Sequence, residues 1–171
     1  MQGVFCNERP GVIGLEENAW WFFDRNVSST PAIVVIDDDE LDASLIEESL
    51  RRLGFPFPIH RCLDGAEALE YFGRPATIQP ALVVLDIQMP RVGGIEVLRQ
   101  LKSEPRWRHL PVVMLTNSGE EKEIAQCYEL GCLGCIRKPP GVEGFVEMLK
   151  AIAQFAELLG DRSHQGRRLF V

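Results

Sequence analysis

From residue 32 onward, short runs of apolar and mostly β-branched residues alternate with longer stretches in which apolar residues recur at helical spacing. An unbroken apolar run is typical of a strand buried on both faces, as in a parallel sheet covered by helices. Five repeats of strand and helix therefore predict an α/β domain with one parallel sheet. The predicted strands are Ile33–Ile36, Ile59–Cys62, Ala81–Leu85, Pro111–Leu115 and Leu133–Ile136, and the predicted helices are Leu41–Leu53, one capped by Asp64 and running to Phe72, Gly94–Lys102, Glu120–Leu130 and Val142–Leu159.

Helix-breaking residues and changes in composition mark the limits of the domain. Gly54 and the prolines after it stop the first helix, and Gly131 ends the fourth. Residues 1–31 lack sustained periodicity and end in a polar run, which indicates an extension and linker. We therefore expect one domain at residues 32–159, followed by a short tail at residues 160–171.

Polar side chains follow four of the five predicted strands. Asp37 and Asp38 come after the first strand, Asp86 after the third, Thr116 after the fourth and Lys138 shortly after the fifth. The carboxyl ends of parallel strands meet at one edge of a sheet, where the ligand crevice of such folds lies. We expect these five side chains to converge there.

Clustered carboxylates repel one another unless a cation lies among them, and a hard divalent ion with oxygen ligands is the usual solution. The sequence therefore predicts a Mg²⁺ site at this edge. Asp38 and Asp86 would bind the ion directly and Asp37 through water, because Mg²⁺ keeps part of its hydration shell. A backbone carbonyl near Gln88 would supply a further ligand.

The same side chains suit phosphoryl transfer, which needs a nucleophile, a bridging cation and donors for the developing charge. Asp86 is the predicted nucleophile and would become an acyl phosphate. Lys138 would place its ammonium on one phosphoryl oxygen, and the Thr116 hydroxyl would donate to another.

Several motifs together resemble the response-regulator receiver family of bacterial two-component pathways, and the resemblance covers about residues 32–159. These motifs are the strand and acid pair of Ile33–Asp39, the phosphorylation strand of Val83–Pro90, the continuation Gly94–Leu98, the switch-threonine strand of Pro111–Thr116, and Lys138–Pro139, which the family holds in a cis peptide. Within the family, the segment Leu101–Pro111 is similar to that of single-domain regulators paired with phytochrome-type kinases.

The resemblance implies a flavodoxin-like, doubly wound five-stranded parallel sheet of order 2-1-3-4-5 with helices on both faces. It also implies a single-domain response regulator that takes its phosphoryl group from a sensor histidine kinase and signals through a partner protein. Such a domain is not an enzyme beyond self-catalysed phosphotransfer and autodephosphorylation. The fourth helix, fifth strand and fifth helix would report the phosphorylation state.

Two residues depart from the family pattern. Cys135 stands where most members carry a Tyr or Phe that rotates on activation, so we expect coupling through dimerisation instead. The last helix has more apolar residues than one face usually needs, namely Phe145, Met148, Ile152 and Phe155. We therefore expect a homodimer through the face formed by the fourth helix, fifth strand and fifth helix. Asn117 is larger than the residue that often follows the threonine and would restrict access to the acceptor.

Composition narrows the class of protein further. A formal net charge of -7 argues against nucleic-acid binding, and no apolar stretch is long enough to cross a membrane. Five cysteines, an odd number, fit a reducing compartment, so we expect a cytoplasmic protein. Cys132 and Cys135 form a C-x-x-C pair, but without a second pair or a His cluster we do not expect a metal or redox role for them.

Two alternatives remain open at the level of sequence. One is a receiver-like scaffold that is never phosphorylated. The other is a phosphatase of the haloacid-dehalogenase type, with Asp37 and Asp39 as the reactive pair. That class needs a further acidic pair after the lysine, and here only Glu143, Glu147 and later acids in helix or tail are present.

Overall fold

The computed structural model describes residues 32–54, 58–75 and 80–151, which form five strands and five helices. The strands are β1 (Ile33–Ile36), β2 (Ile59–Cys62), β3 (Leu82–Asp86), β4 (Val112–Thr116) and β5 (Gly134–Arg137). The helices are α1 (Glu40–Arg52), α2 (Gly65–Gly73), α3 (Gly94–Ser103), α4 (Glu121–Glu129) and α5, described over residues 141–151. The predicted extension, the last part of the fifth helix and the tail lie outside the described residues.

All five strands lie parallel in the order β2-β1-β3-β4-β5, which confirms the predicted topology and the central position of β3. Alternate residues of each strand face opposite sides of the sheet, so each side has its own core. Val34 and Ile36 belong to the core beneath α2, α3 and α4. Ile33 and Val35 belong to the core beneath α1 and α5. None of the described helices is both long and apolar enough for a transmembrane segment.

Three strands begin and end one residue later than their apolar runs predict. Asp86 pairs with Leu115, and Thr116 pairs with Arg137, so polar residues at the strand ends still belong to the hydrogen-bonded ladder. A buried backbone group needs a partner whatever its side chain is, whereas a hydropathy pattern registers side chains alone. The consequence is that Asp86 and Thr116 are held by the sheet itself rather than by a loop.

Side-chain capping groups explain where α1 and α2 begin. The Asp39 side chain accepts hydrogen bonds from the N–H groups of Leu41 (2.8 Å) and Asp42 (3.4 Å) at the start of α1. Asp64 accepts from the Glu67 N–H (2.8 Å) at the start of α2, as predicted. Such caps satisfy N–H groups that have no partner within the helix.

The segment between α3 and β4 is anchored to α2 by a buried tryptophan. Trp107 is 3% exposed, and its indole N–H donates to the Phe72 carbonyl (3.1 Å). The rings of Trp107 and Phe72 meet edge to face at 5.3 Å, and the Arg106 guanidinium lies over the indole. These contacts close the core beneath α2 and α3.

Gly94, the first residue of α3, fixes how closely this helix approaches the end of β3. A Cβ atom built on Gly94 would lie 1.9 Å from the Asp86 carbonyl oxygen and 2.9 Å from its carbonyl carbon. Real Cβ atoms do not tolerate such distances, and the obstacle is backbone rather than a flexible side chain. Glycine therefore lets α3 start directly against Asp86.

Gly94→Ala should lower the free energy of unfolding by about 3 kcal/mol, because the added methyl group must push α3 away from β3. Urea denaturation of both proteins measures the difference. Gly73→Ala is the matched control, since Gly73 ends α2 and a Cβ there meets nothing within 4 Å. A Gly94→Ala protein as stable as the control would contradict the close approach.

Candidate functional site

The ammonium group of Lys138 lies among three carboxylates at the carboxyl edge of the sheet. Its Nζ is 2.9 Å from Asp37 Oδ2, 2.9 Å from Asp42 Oδ2 and 3.2 Å from Asp86 Oδ2. The side chains of Lys138, Asp37 and Asp86 are 4%, 1% and 2% exposed, so these charges meet almost without solvent. The backbone N–H of Lys138 donates to the Thr116 carbonyl (2.9 Å), which ties this residue to the end of β4.

Asp38 adds a further carboxylate to the same edge, and this one faces solvent. One oxygen each of Asp37, Asp38 and Asp86 lies within 4.8 Å of the other two. Asp86 Oδ1 is buried and accepts no hydrogen bond from the described residues. Burial of an unpartnered carboxylate oxygen is costly. The oxygen donors and the unpartnered atom fit a hard divalent cation such as Mg²⁺.

Burial disfavours the charged form of these acids. It raises the pKa of Asp37 from 3.8 to about 6, although the hydrogen bond and charge of Lys138 oppose this change. Burial also raises the pKa of Asp86, again against the influence of Lys138, and the nearby Asp38 adds to the rise. For Lys138 the effect of burial is outweighed by its carboxylate partners, which raise its pKa. The single ammonium of Lys138 therefore does not offset the cost of burying several charged carboxylates.

The Thr116 hydroxyl is buried at the end of β4, but its hydrogen bonds go to the following loop rather than to the carboxylates. It donates to the Ser118 carbonyl (2.6 Å) and accepts from the Ser118 N–H (3.1 Å). The Ser118 hydroxyl accepts from the Gln88 side-chain amide (3.1 Å) and lies 3.4 Å from a carboxylate oxygen of Glu123 on α4. Ser118 thus links the loops after β3 and β4 to the first turn of α4.

Gln88 lies two residues after Asp86, with its backbone N–H facing the Asp86 carboxylate. The backbone of this loop therefore borders the acidic cluster, where the predicted carbonyl ligand would have to lie.

The expectation of a cis bond between Lys138 and Pro139 is wrong, since every peptide bond of the described residues is trans. Lys138 is aimed by its three carboxylate partners and by the backbone bond to Thr116.

Sequence reasoning missed Asp42 and Ser118. Asp42 lies in the first turn of α1, which starts at the carboxyl end of β1, and an acidic first-turn residue was the available signal. Ser118 comes two residues after Thr116, a spacing at which a Ser or Thr hydroxyl can bond to the backbone of the next turn. Its links to Gln88 and Glu123 depend on how three separate segments pack, which the sequence does not reveal.

Other expectations concern the face formed by α4, β5 and α5. Phe145 and Met148 are 0% and 7% exposed, so the idea that they supply a surplus apolar surface is wrong, and they fill the core instead. Ile152 and Phe155 lie outside the described residues. Asn117 is exposed, and Cys135 on β5 is partly buried.

The two described acids that follow Lys138 pair with basic side chains at the surface instead of joining the cluster. Glu143 and Glu147 are 85% and 73% exposed, and they pair with Arg52 and Lys150 at the surface. Asp39 is occupied as the cap of α1. The extra acidic pair that a phosphatase of the haloacid-dehalogenase type requires is therefore not found at this edge within the described residues.

Comparison with known proteins gives a consistent result. Residues 33–150 match the model of the response regulator receiver domain. The polar-differentiation response regulator DivK of Brucella ovis is 33% identical over 125 residues, which is 71% of this chain and 95% of that relative. The sequence similarity to DivK therefore covers the entire domain and not the site alone.

Solved structures show the same architecture. The phosphorylated cyanobacterial phytochrome response regulator RcpA superposes with a TM-score of 0.68 at 30% identity, covering 74% of this chain and 94% of that one. The Mn²⁺-bound form of the response regulator Rcp1 gives 0.67 at 26% identity, covering 73% and 93%. Both likenesses extend over most of each chain, so the fold of this chain corresponds to that of the two regulators.

The raised pKa of Asp37 predicts an unusual dependence of stability on pH in the absence of divalent ions. The folded state binds a proton near pH 6, whereas the unfolded chain does so near 3.8. This contribution to stability is therefore complete below about pH 4 and is lost as the pH rises through about 6. The unfolding free energy of wild type relative to Asp37→Asn should rise by on the order of 3 kcal/mol from pH 7 to pH 4.

Chemical denaturation at several pH values measures this difference. Asp64→Asn provides the contrast, because the hydrogen bond from the Glu67 N–H lowers the pKa of that partly buried cap. The contribution of Asp64 is complete above the unfolded value of 3.8, so the difference between wild type and Asp64→Asn should stay nearly constant from pH 7 to pH 4 and decrease only at lower pH. Parallel profiles for wild type and Asp37→Asn would contradict the effect of burial.

Proposed function

Because this chain belongs to the response-regulator receiver family, we propose that it accepts a phosphoryl group on Asp86 from a sensor histidine kinase. One observation carries the proposal: the buried Asp86 carboxylate has one oxygen 3.2 Å from the Lys138 ammonium and the other without a hydrogen-bond partner. Lys138 holds Oδ2 of this carboxylate, which leaves the unpartnered Oδ1 to attack phosphorus. Asp86 is paired with Leu115 in the sheet, so its backbone stays fixed during the reaction.

In the proposed reaction, an Asp86 oxygen forms a bond to the phosphorus of a phosphohistidine while the bond from phosphorus to the histidine nitrogen breaks. The product is an acyl phosphate. The Lys138 ammonium exchanges a carboxylate contact for a phosphoryl oxygen and stabilises the charge there. Hydrolysis of the acyl phosphate by water restores Asp86.

Asp38 and Asp86 would hold Mg²⁺ directly, Asp37 through water, and the Gln88 carbonyl would complete the protein ligands. When bound, the ion neutralises charge on the phosphoryl oxygens and relieves the repulsion among the carboxylates. The raised pKa values of Asp37 and Asp86 support a cation here. The related Rcp1 has been solved in a Mn²⁺-bound form, which agrees with this proposal.

Thr116 would transmit the modification. Its hydroxyl now bonds to Ser118, and donation to a phosphoryl oxygen requires that bond to break. The loop after β4 would then move toward Asp86, carrying with it the links from Ser118 to Gln88 and Glu123. Glu123 belongs to α4, so the change would reach the α4, β5 and α5 face without an aromatic switch at Cys135.

The proposal extends to partners and boundaries. A phytochrome-type kinase fits, because RcpA, one of the similar structures, is a phytochrome response regulator. The receiver domain would span residues 32–159 between an extension and a tail, in a cytoplasmic protein. A homodimer through the α4, β5 and α5 face remains part of the proposal, with Tyr128, which is 54% exposed, as its apolar contribution.

Incubation with acetyl phosphate and MgCl₂ tests the function. The intact protein should gain the mass of one phosphoryl group, and Asp86→Asn should gain none, because an amide oxygen does not form the acyl phosphate. Intact-mass spectrometry in acidic solvent makes the measurement. Removing the divalent ion with EDTA should also abolish the gain.

Asp64→Asn is the matched control, since it removes a carboxylate at another strand end and asparagine caps a helix as well as aspartate does. It should be phosphorylated like the wild type. A mass gain that persists in Asp86→Asn would refute the acceptor assignment. No gain in folded wild-type protein would favour the receiver-like scaffold.

Thr116→Val should separate phosphorylation from its readout. The variant keeps the shape of the side chain but loses the hydroxyl, so Asp86 should still be modified while the loop after β4 no longer responds. Amide hydrogen exchange of residues 117–123, measured with and without acetyl phosphate, should change in the wild type and stay the same in the variant. Thr116→Ser, which retains the hydroxyl, should behave like the wild type, and an unaltered response in Thr116→Val would contradict this role.

A further inference from the structure

Two cysteines are brought together where α4 ends. The Cys132 N–H donates to the Cys127 carbonyl (3.1 Å) and the Gly131 N–H donates to the Tyr128 carbonyl (3.0 Å), while Gly131 has a φ of 85°. This pair of hydrogen bonds defines a Schellman motif, in which the side chains at the positions of Cys127 and Cys132 commonly touch. Both side chains belong to the same core.

Cys135, three residues later on β5, makes this a cluster of three thiols. The Cys127 and Cys135 side chains are close enough for each to influence the pKa of the other. Cys127 is 0% exposed, whereas Cys132 and Cys135 are partly buried and pack against the same core. All three are reduced in the structure. The sequence pattern showed only the C-x-x-C pair, because Cys127 joins it through the turn at the end of α4.

A surface cavity borders Cys135. It has a volume of about 350 Å³ and is lined by Tyr128, Cys135, Ile136 and neighbouring residues of β4, β5 and α5. Cys127 does not line it, so Cys135 separates the buried thiol from the cavity. A small neutral oxidant can therefore reach Cys135 first.

We propose that Cys135 and Cys127 form an oxidation site at which a peroxide converts the two thiols into an intrachain disulfide. This chemistry is independent of phosphoryl transfer at Asp86. The disulfide would join α4 covalently to β5. Both elements belong to the α4, β5 and α5 face, to which the loop after β4 leads.

The chemistry balances in two steps. The Cys135 thiol releases its proton, and the thiolate attacks one peroxide oxygen, so that the O–O bond breaks and a sulfenic acid forms on Cys135. The departing hydroxide or alkoxide takes up the released proton and leaves as water or an alcohol. The Cys127 sulfur then attacks the Cys135 sulfur, the S–O bond breaks, and hydroxide leaves with the proton of Cys127 as water. Each sulfur loses one electron, and the peroxide takes up both.

Burial raises the pKa of Cys127 to about 12 and raises that of Cys135 as well, so the thiolate is scarce at neutral pH and the first step is slow. The contact between the two sulfurs favours the second step once the sulfenic acid has formed. Among the described residues, only the cluster of Asp37, Asp38 and Asp86 brings three potential ligand atoms within metal-binding distance. The thiol cluster is thus better suited to a disulfide than to a metal.

The test uses the full-length chain with Cys6→Ser, which removes the cysteine of the extension. After treatment with hydrogen peroxide, free thiols are blocked in denaturant and the protein is digested with a protease that cleaves after glutamate. Cleavage after Glu123, Glu129 and Glu143 places Cys127 on one peptide and Cys132 with Cys135 on the next. The expected result is the loss of two blockable thiols and a cross-link between these two peptides.

Three variants identify the partners. Cys132→Ser should still form the cross-link, whereas Cys135→Ser and Cys127→Ala should form none. Cys135 is partly exposed, so Cys135→Ser decides the matter even if the buried substitution at Cys127 impairs folding. Cys62, buried at the end of β2, should stay reduced throughout and serves as the internal control.

Several outcomes would overturn the inference. These are a disulfide within the peptide that carries Cys132 and Cys135, a cross-link that disappears in Cys132→Ser, a link only between chains, or full recovery of all thiols after peroxide. A reductant should reverse the cross-link, and the oxidised protein should show a higher Tm than the reduced one, because the link restricts the unfolded chain.

Discussion

The arrangement of the whole site edge depends on one buried ammonium group. Lys138 follows β5, and its Nζ is held by carboxylates that follow β1, begin α1 and end β3, all of them distant in sequence from Lys138. Almost no solvent screens these charges, so their attraction is strong, yet burial still raises the pKa of both Asp37 and Asp86. One cation therefore orders the cluster without neutralising it. The remaining negative charge makes the edge receptive to a divalent ion and, through that ion, to a phosphoryl group.

The rest of the fold keeps these charges in register. Asp86 and Thr116 are the last paired residues of β3 and β4, and the Lys138 N–H continues the pairing to the Thr116 carbonyl. Gly94 lets α3 begin directly against the Asp86 carbonyl. In a parallel sheet covered by helices on both sides, core residues fill the two faces, so polar chemistry is left to the ends of the strands. The site is thus a consequence of the topology as much as of the residues.

Apolar runs and strand-end polar residues are local signals, and they predicted every described element to within about a residue and the convergence of Asp37, Asp38, Asp86 and Lys138. The order of the strands in the sheet came from the family resemblance. Sequence reasoning failed where side chains from separate segments meet. Asp42 and Ser118 enter the network only through packing, Phe145 and Met148 proved to be core, and the hydroxyl of Thr116 bonds to its own loop. The cysteine cluster was hidden for the same reason, since a helix C-terminal turn unites its members.

The bonds of Thr116 have a consequence for how this protein would respond to its input. The hydroxyl both donates to and accepts from Ser118, so its single donor proton is already used. Ser118 in turn holds Gln88 and contacts Glu123. A partial shift of the loop would break several hydrogen bonds and gain none, which makes intermediate positions unfavourable. The loop should therefore have two preferred positions and rarely occupy a position between them. The output of many molecules would then increase only as a larger fraction of them adopts the second position.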